Sequence, residues 1–255
     1  MLLKHGSFFT GIGIMDKAAE EQGFENTFGC DNDIFAQLHF KEHFPKSHLY
    51  GDIKLIMEIP KIDILTFGFP CTDASLAGRI KHKNPLAQSR TGLFYEATRL
   101  IRQSRPTLFV AENVRQVVSK SGREIFQEIS ACGYDASWAI IPARKFGASH
   151  LRERVFIIGQ DTDSDALGRN AHIRILSRVL KEGSRRIKLE RQSCNVVGVN
   201  IQPEINSSGY GIDYGTAAAL YEGFRIAALG NSIYFPIAQA FMSEIKNEFT
   251  NSRIN

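Results

Sequence analysis

Short apolar runs alternate with longer amphipathic stretches along the first 160 residues of the chain. The runs have the length and β-branched content of buried strands, and the stretches between them have the apolar spacing of helices. Strands are predicted over residues 2–9, 25–30, 62–67, 107–111, 134–141 and 155–159, and helices over 14–22, 34–43, 93–104, 121–132 and 236–249. This alternation predicts an α/β fold with a doubly wound, mostly parallel sheet.

The pattern changes after Gln160. Residues 161–165 are acidic and contain Ser and Thr, and residues 169–191 carry eight Lys or Arg against two Glu. Apolar residues recur in that basic run at helix-like spacing, at Ile173, Leu176, Val179 and Leu180. Two interpretations stay open, a basic amphipathic helix on a functional surface and a plain solvated helix. Residues 194–216, rich in Asn, Ser and Gly, give no assignable structure.

Length and composition fit one large α/β domain, or one domain with a small appendage. The 255 residues are 43% hydrophobic and 23% charged, and no apolar run is long enough to span a bilayer. The four cysteines are far apart, which favours free thiols in a reducing compartment over a disulfide framework or a metal site. A net charge of +4 is mild, so any nucleic-acid surface must come from local clustering. We therefore expect a cytoplasmic protein.

A Gly-x-Gly turn follows the first predicted strand and precedes the first helix, at Gly11 and Gly13. Glycine lets the backbone approach a ligand, and a helix N-terminus offers unpaired N–H groups. Asp31 and Asp33 lie about 20 residues further on, where an acid commonly binds ribose hydroxyls. One of these two aspartates is expected to cap the following helix instead.

Cys71 begins a polar loop directly after the apolar run 62–67 and the turn Gly68-Phe69-Pro70. Ligands of open α/β sheets bind beyond the carboxyl ends of the strands, so Cys71 is either a reactive thiol or a buried structural one. Glu112 directly follows the strand 107–111 and is expected at the same edge of the sheet as Cys71. The basic loop between residues 72 and 90 is interpreted as a mobile lid over a polyanion or as a solvated loop.

Five segments in order, FTGIG, GFPCTDAS, ENV, LRERVFIIG and LGNSI, resemble the motifs of the DNA (cytosine-5)-methyltransferases. The resemblance covers roughly residues 7–159 and 229–241. It implies a Rossmann-like methyltransferase fold, Cys71 as the nucleophile that adds to C6 of a flipped cytosine, and Glu112 as the acid that faces the base. It also implies that Arg154, with Arg152 beside it, orients the base carbonyl.

The same resemblance implies S-adenosylmethionine as the methyl donor and double-stranded DNA as the partner. The implied cofactor-binding residues are Phe9, Gly11, Gly13, Asp31, Asn32, Asp52, Ile53, Pro70, Leu93, Asn231 and Ser232. The implied DNA-binding residues are Ser75, Arg79, Lys81, Lys83, Arg90, Arg185 and Arg186. A metal is not implied. A partner subunit or a cognate restriction endonuclease is a further candidate partner.

The chain departs from the family pattern at three places: Ser7 replaces an Asp, Thr72 a Gln and His150 a Gln. The resemblance divides the chain into a catalytic domain over 1–160, a short target-recognition region over 161–228 and a returning segment over 229–255. Because that recognition region is short, a subunit that depends on a partner or lacks catalysis is one alternative. An RNA cytosine-5 methyltransferase is the second, although the Cys-Phe-Thr tripeptide of tRNA-modifying relatives is missing.

Overall fold

The computed structural model describes residues 2–70, 92–193 and 232–252, with side chains through residue 185 in the second range. The strands are β1 Lys4–Phe8, β2 Glu25–Cys30, β3 His48–Tyr50, β4 Ile64–Gly68, β5 Leu108–Val114, β6 Tyr134–Pro142 and β7 Glu153–Asp161. The helices are α1 Ile14–Glu21, α2 Ile34–His43, α3 Leu93–Ser104, α4 Gln116–Ala131, α5 Ala171–Ser193 and α6 Phe235–Ser252. Single 3-10 turns lie at Ile53–Leu55 and Ala143–Phe146.

The described strands form a seven-stranded sheet in the order β3-β2-β1-β4-β5-β7-β6. β1 pairs in parallel with β2 and β4, and β4 with β5, whereas β7 runs antiparallel to β5 and β6. The prediction of a mostly parallel, doubly wound sheet is therefore confirmed. Because β7 is reversed, its first residues lie at the edge where β4 and β5 end, and this places Arg154 opposite Val114.

Successive side chains of each central strand point to opposite sides of the sheet, and both sides are buried because helices cover each of them. Ile64, Leu108 and Val110 pack on the face that α1, α5 and α6 cover. Leu65 and Phe109 pack on the other face, beneath α3 and α4. The near-continuous apolar runs that predicted these strands result from this double burial.

Helix α5 packs along β6 and β7, the two strands at one side of the sheet. It begins beside Gln160 near the end of β7, where the backbone N–H of His172 faces the Gln160 side chain. Gly183 of this helix packs against the turn after β6, and a Cβ atom added at Gly183 would lie 2.7 Å from the Phe146 ring. The helix is therefore packed on the catalytic domain at least as far as residue 183, so the core continues past the boundary expected at residue 160.

The buried stripe of α5 also differs from the one expected. Leu176 and Val179 are buried as predicted, but Ile173 is 48% exposed and Ile175 is fully buried. The stripe thus follows i, i+4 spacing through Ala171, Ile175 and Val179, which is the period of a helix lying flat on a sheet. The interpretation as a plain solvated helix is wrong for this half of α5.

Several other bounds differ from the prediction, among them those of α4 and β7. Helix α4 begins five residues earlier than expected, at Gln116, because burial of Val117 outweighs the weak helix propensity of Ser119 and Ser121. Strand β7 begins at Glu153, since backbone pairing with β5 and β6 continues through the charged residues. Among the described helices, none combines the length and apolar character needed to cross a membrane.

Candidate active site

A cavity of about 640 Å³ opens at the edge where β1, β2, β4 and β5 end. Its wall includes Phe9, Gly11, Asp31, Asn32, Asp52, Ile53, Pro70, Leu93, Glu112, Arg154 and Ser232, all of which the sequence singled out. The loops after four strands and the segment before α6 thus contribute to one space. Cavities of this size suit a ligand of cofactor dimensions.

The glycine turn after β1 is held by the acid that follows β2. Gly11 adopts a φ of +52°, a conformation that glycine tolerates, and its N–H donates to Oδ2 of Asp31 at 2.8 Å. Oδ1 of Asp31 accepts the N–H of Asp33, and burial raises the pKa of Asp31. Asp33 instead caps α2 by accepting the N–H of Ala36 at 2.9 Å. The expectation that one of these two aspartates caps the following helix is confirmed.

The remaining residues of this cradle have distinct positions. Phe9 has a φ of +53°, which is rare for a residue with a side chain and typical of ligand sites. Asp52 accepts the N–H of Lys54 and so starts the 3-10 turn that buries Ile53. Gly13 is the N-cap residue of α1 and does not border the cavity.

The backbone that follows β4 is held in place by the buried side-chain amide of Asn113. Nδ2 of Asn113 donates to the backbone oxygen of Phe69 at 2.9 Å, and Oδ1 of Asn113 accepts the N–H of Val114. Phe69 is buried and its ring lies 5.0 Å from that of Phe94. Asn113 and the aromatic contact together determine where Pro70 borders the cavity, and Cys71 is the next residue in the sequence.

Glu112 and Arg154 form an ion pair in the wall of the cavity, with Oε1 of Glu112 2.9 Å from Nε of Arg154. Glu112 is only 9% exposed. Burial raises its pKa to about 7, against the opposing effect of the Arg154 and Arg152 charges. A carboxyl group that is half protonated near neutral pH can donate a proton to a bound base and can also take one back.

Arg152 does not border the cavity. Its backbone oxygen accepts the N–H of Ala143, and burial next to Arg154 lowers the pKa of its guanidinium. Arg152 therefore lies close enough to Arg154 and Glu112 for their charges to act on it. Several predicted site residues lie outside the described residues, namely Cys71, Ser75, Arg79, Lys81, Lys83, Arg90, Asn231 and the side chain of Arg186.

A model of C-5 cytosine-specific DNA methylases matches residues 3–207, four-fifths of the chain. The chain belongs to this family. It is 30% identical over 167 residues to the type II methyltransferase M.Bsp6I of a Bacillus species, covering 62% of this chain and 52% of that relative. It is 33% identical over 161 residues to M.NgoPII of Neisseria gonorrhoeae, covering 60% and 46%. This DNA methylase chain therefore spans about half the length of the curated relatives it matches.

Solved structures resemble the described DNA methylase fold. A prophage-encoded E. coli protein described as a DNA modification methyltransferase matches with a TM-score of 0.51 and 26% identity, covering 62% of this chain and 47% of its own. Dnmt2 of S. pombe matches with a TM-score of 0.54 and 18% identity, covering 64% and 52%, and supports the fold alone.

Sequence reasoning missed several residues in the wall of this cavity, among them Asp16, Cys30 and Asn113. Asn113 lies within the ENV segment, so the sequence pattern could have identified it. Asp16 stands between the apolar residues of α1, and a carboxylate on a predicted buried face is the signal that was overlooked. Cys30 donates to the backbone oxygen of Gly51, and burial raises the pKa of its thiol to about 12. Cys30 is therefore a structural thiol, not a nucleophile.

Proposed function

We propose that this chain transfers a methyl group from S-adenosylmethionine to C5 of cytosine in DNA. Family membership and the position of the Glu112–Arg154 pair support the proposal. That pair lies in the same cavity as the glycine turn and Asp31, so a base-facing acid and a cofactor cradle share one space. This shared cavity is the observation that carries the proposal.

The cavity fits the methyl donor in chemical terms. The Asp31 carboxylate can accept hydrogen bonds from ribose hydroxyls, and the loop containing Asp52 and Ile53 supplies the neighbouring wall. Phe9 offers an aromatic ring, and Ser232 offers a hydroxyl. When bound, the cofactor supplies an electrophilic methyl group on a sulfonium.

Cytosine C5 is a poor nucleophile, so we assign Cys71 the role of adding as thiolate to C6, which pushes electron density to C5. Glu112 gives its proton to N3 as the ring loses aromaticity, and Arg154 holds Glu112 and orients the base carbonyl. Once C5 carries the methyl group, water takes the C5 proton, N3 returns its proton to Glu112, and elimination of the thiolate restores Cys71. The base must leave the duplex to reach this cavity.

The C-terminal half of α5 and the turn Ala143–Phe146 are proposed as part of the DNA surface. Gly183 packs on Phe146, and Ala143 donates to the Arg152 backbone oxygen, so this turn adjoins the catalytic edge. Exposed Arg144 and Arg185 lie on these two elements. Such cations contact phosphates and give affinity without sequence discrimination. We assign Arg186 and the basic residues of the 72–90 loop to the same function.

The test is transfer of labelled methyl groups from S-adenosylmethionine to mixed DNA and RNA, followed by sequencing of modified bases. We expect 5-methylcytosine in DNA. Cys71→Ser should abolish transfer yet leave cofactor affinity within a few-fold, since a hydroxyl cannot act as the thiolate does. Methylation of RNA alone, or an active serine variant, would contradict the proposal.

A second candidate is a subunit that needs a partner for DNA recognition. The observation that favours it is the extent of the match, about half the length of the relatives. This candidate predicts cofactor binding without transfer by the chain alone, and transfer once the partner is added. Transfer by the purified chain at ordinary rates rejects it.

A further inference from the structure

The two edges of the described sheet differ in how well they are protected against pairing with another chain. β3, at one edge, has three residues, whereas β6, at the other edge, has nine and pairs with β7 in continuous register. Edge strands are usually shortened, bulged or charged, because their outer N–H and C=O groups would otherwise pair with a further strand. From Ala136 to Ile141, β6 has no charged residue, no proline and no bulge. Among the described strands, none pairs with its outer side.

The side chains of β6 add an apolar patch to this open edge. Trp138 is 45% exposed and Ile140 is 36% exposed, and both point to the same side of the sheet because they are two residues apart. The ring of Trp138 lies 6.2 Å from that of Phe126 in α4, so helix packing reaches the patch on its inner flank and leaves both side chains partly exposed. Tryptophan beside unpaired backbone is typical of a surface that associates with another chain.

Charge is distributed unevenly between the two ends of β6. Asp135 is exposed near its first residue and lines, with Asp165, a hollow whose charged residues are three aspartates and one arginine. Arg144 and Lys145 follow its last residue, in the turn Ala143–Phe146. One end of this edge is therefore acidic and the other is basic. A strand with this order of charges is complementary to a copy of itself that runs in the opposite direction.

Antiparallel pairing about a two-fold axis at Ala139 satisfies all of these features together. With Ala139 opposite its own copy, Trp138 of each chain lies opposite Ile140 of the other. Aromatic and β-branched residues that face each other across antiparallel strands form favourable pairs, and the axis produces this pair twice. The same register brings the acidic end of each strand to the basic end of the other, and no like charges lie opposite each other.

We propose that β6 is an association surface for a second copy of this chain, paired antiparallel so that the two sheets form one continuous sheet. Such an interface is isologous, because each copy contributes the same strand to it. No residue of β6 borders the cavity, so the site of each copy stays open. This inference goes beyond the proposed function and does not depend on it.

Trp138 is the only tryptophan in the sequence, so its fluorescence is specific to this surface. Sedimentation of the full chain over a dilution series should show twice the 28.5 kDa of one chain at high concentration and a single chain at low concentration. Over the same dilution, the emission of Trp138 should shift to longer wavelength and its quenching by iodide should increase. A chain that stays monomeric throughout overturns the proposal, and so does a dimer whose dissociation leaves the quenching of Trp138 unchanged.

Two substitutions test the strand and its charges separately. Ile140→Lys places a charge opposite Trp138 and close to its own copy across the axis, so the dissociation constant of the dimer should rise about a hundredfold or more. Asp135→Lys makes both ends of the edge basic and should raise it about tenfold at low salt, with a smaller effect at high salt. Asp135 is exposed, so this second variant keeps the fold.

The matched control is Leu38→Lys, which places the same charge on an exposed apolar residue of α2 and should leave the dissociation constant unchanged. Unchanged dissociation constants for both β6 variants overturn the proposal. An equal loss of association in the control also overturns it, since the effect would then come from net charge and not from the strand.

Discussion

The raised pKa of Glu112 makes Glu112→Gln the most informative substitution. The change is nearly isosteric, so the fold should persist, but glutamine cannot give a proton to the base. We expect the methyl-transfer rate to fall about 10²- to 10⁴-fold, the range for a general acid. In the parent, about half of the Glu112 side chains are protonated at pH 7 and about a tenth at pH 8. The parent rate should therefore decline above neutral pH.

The same pKa has a consequence for stability. Because the folded-state pKa is raised from 4.5 to about 7, the folded chain holds more protons than the unfolded chain in that interval. The Glu112 contribution is fully present below the unfolded pKa and is lost as pH rises through the folded pKa. Linkage gives a loss of about 2.5 kcal/mol between pH 5 and pH 8. Glutamine does not titrate, so the free energy of unfolding of the variant should rise by that amount relative to the parent between pH 5 and pH 8.

Urea unfolding of both proteins at each pH measures the difference in free energy of unfolding, in which the other titrating groups cancel. Glu20→Gln, which removes an exposed carboxyl group paired with Lys17, is the matched control for the loss of one carboxyl group. A difference for Glu112→Gln that does not change with pH would mean that the pKa of Glu112 is not raised. A rate loss of less than a few-fold would remove it as the base-facing acid.

Two further substitutions test the DNA surface and the packing of α5. Arg185→Ala should weaken DNA binding equally on all sequences and should flatten the dependence of log affinity on log salt concentration by about one unit. The control Lys61→Ala, which lies before β4 at the opposite end of the strands, should change neither quantity. An unchanged salt dependence for Arg185→Ala removes α5 from the DNA surface. Glu248→Ala should lower the free energy of unfolding by about 2 kcal/mol in urea titrations, because Arg174 and Arg178 lose their buried partner. A loss below about 0.5 kcal/mol would show that solvent screens these partly exposed arginines fully.

Sequence periodicity predicted the elements around the cavity well. Strand β2 and helices α2 and α3 have the predicted bounds, because apolar spacing and the flanking turn residues agree there. The glycine turn and Asp31 were also accessible, since a ligand-binding turn needs particular backbone conformations that few residues adopt. Residues whose role depends on backbone chemistry at strand ends were thus found from the sequence.

Long-range packing was not accessible in the same way. The contact between Ser7 and Asp16 depends on how α1 lies on β1, and no local pattern reports the burial that makes it matter. The exposure of Ile173 and burial of Ile175 depend on the direction in which α5 meets the sheet. The extent of the core beyond residue 160 likewise follows from the contact of Gly183 with Phe146. In each case several local patterns fit the sequence equally well, and tertiary packing determines which of them is adopted.

One wall of the cavity comes from the far end of the chain, since Ser232 and Ile233 border it and α6 packs on α1. Ligand binding and the docking of α6 are therefore linked equilibria: a molecule in the cavity stabilises only conformations in which α6 is in place. We therefore expect local opening of α6 to become rarer, and its amide hydrogens to exchange more slowly with solvent, as ligand is added. A helix remote from the chemistry in sequence thus reports on the filling of the site.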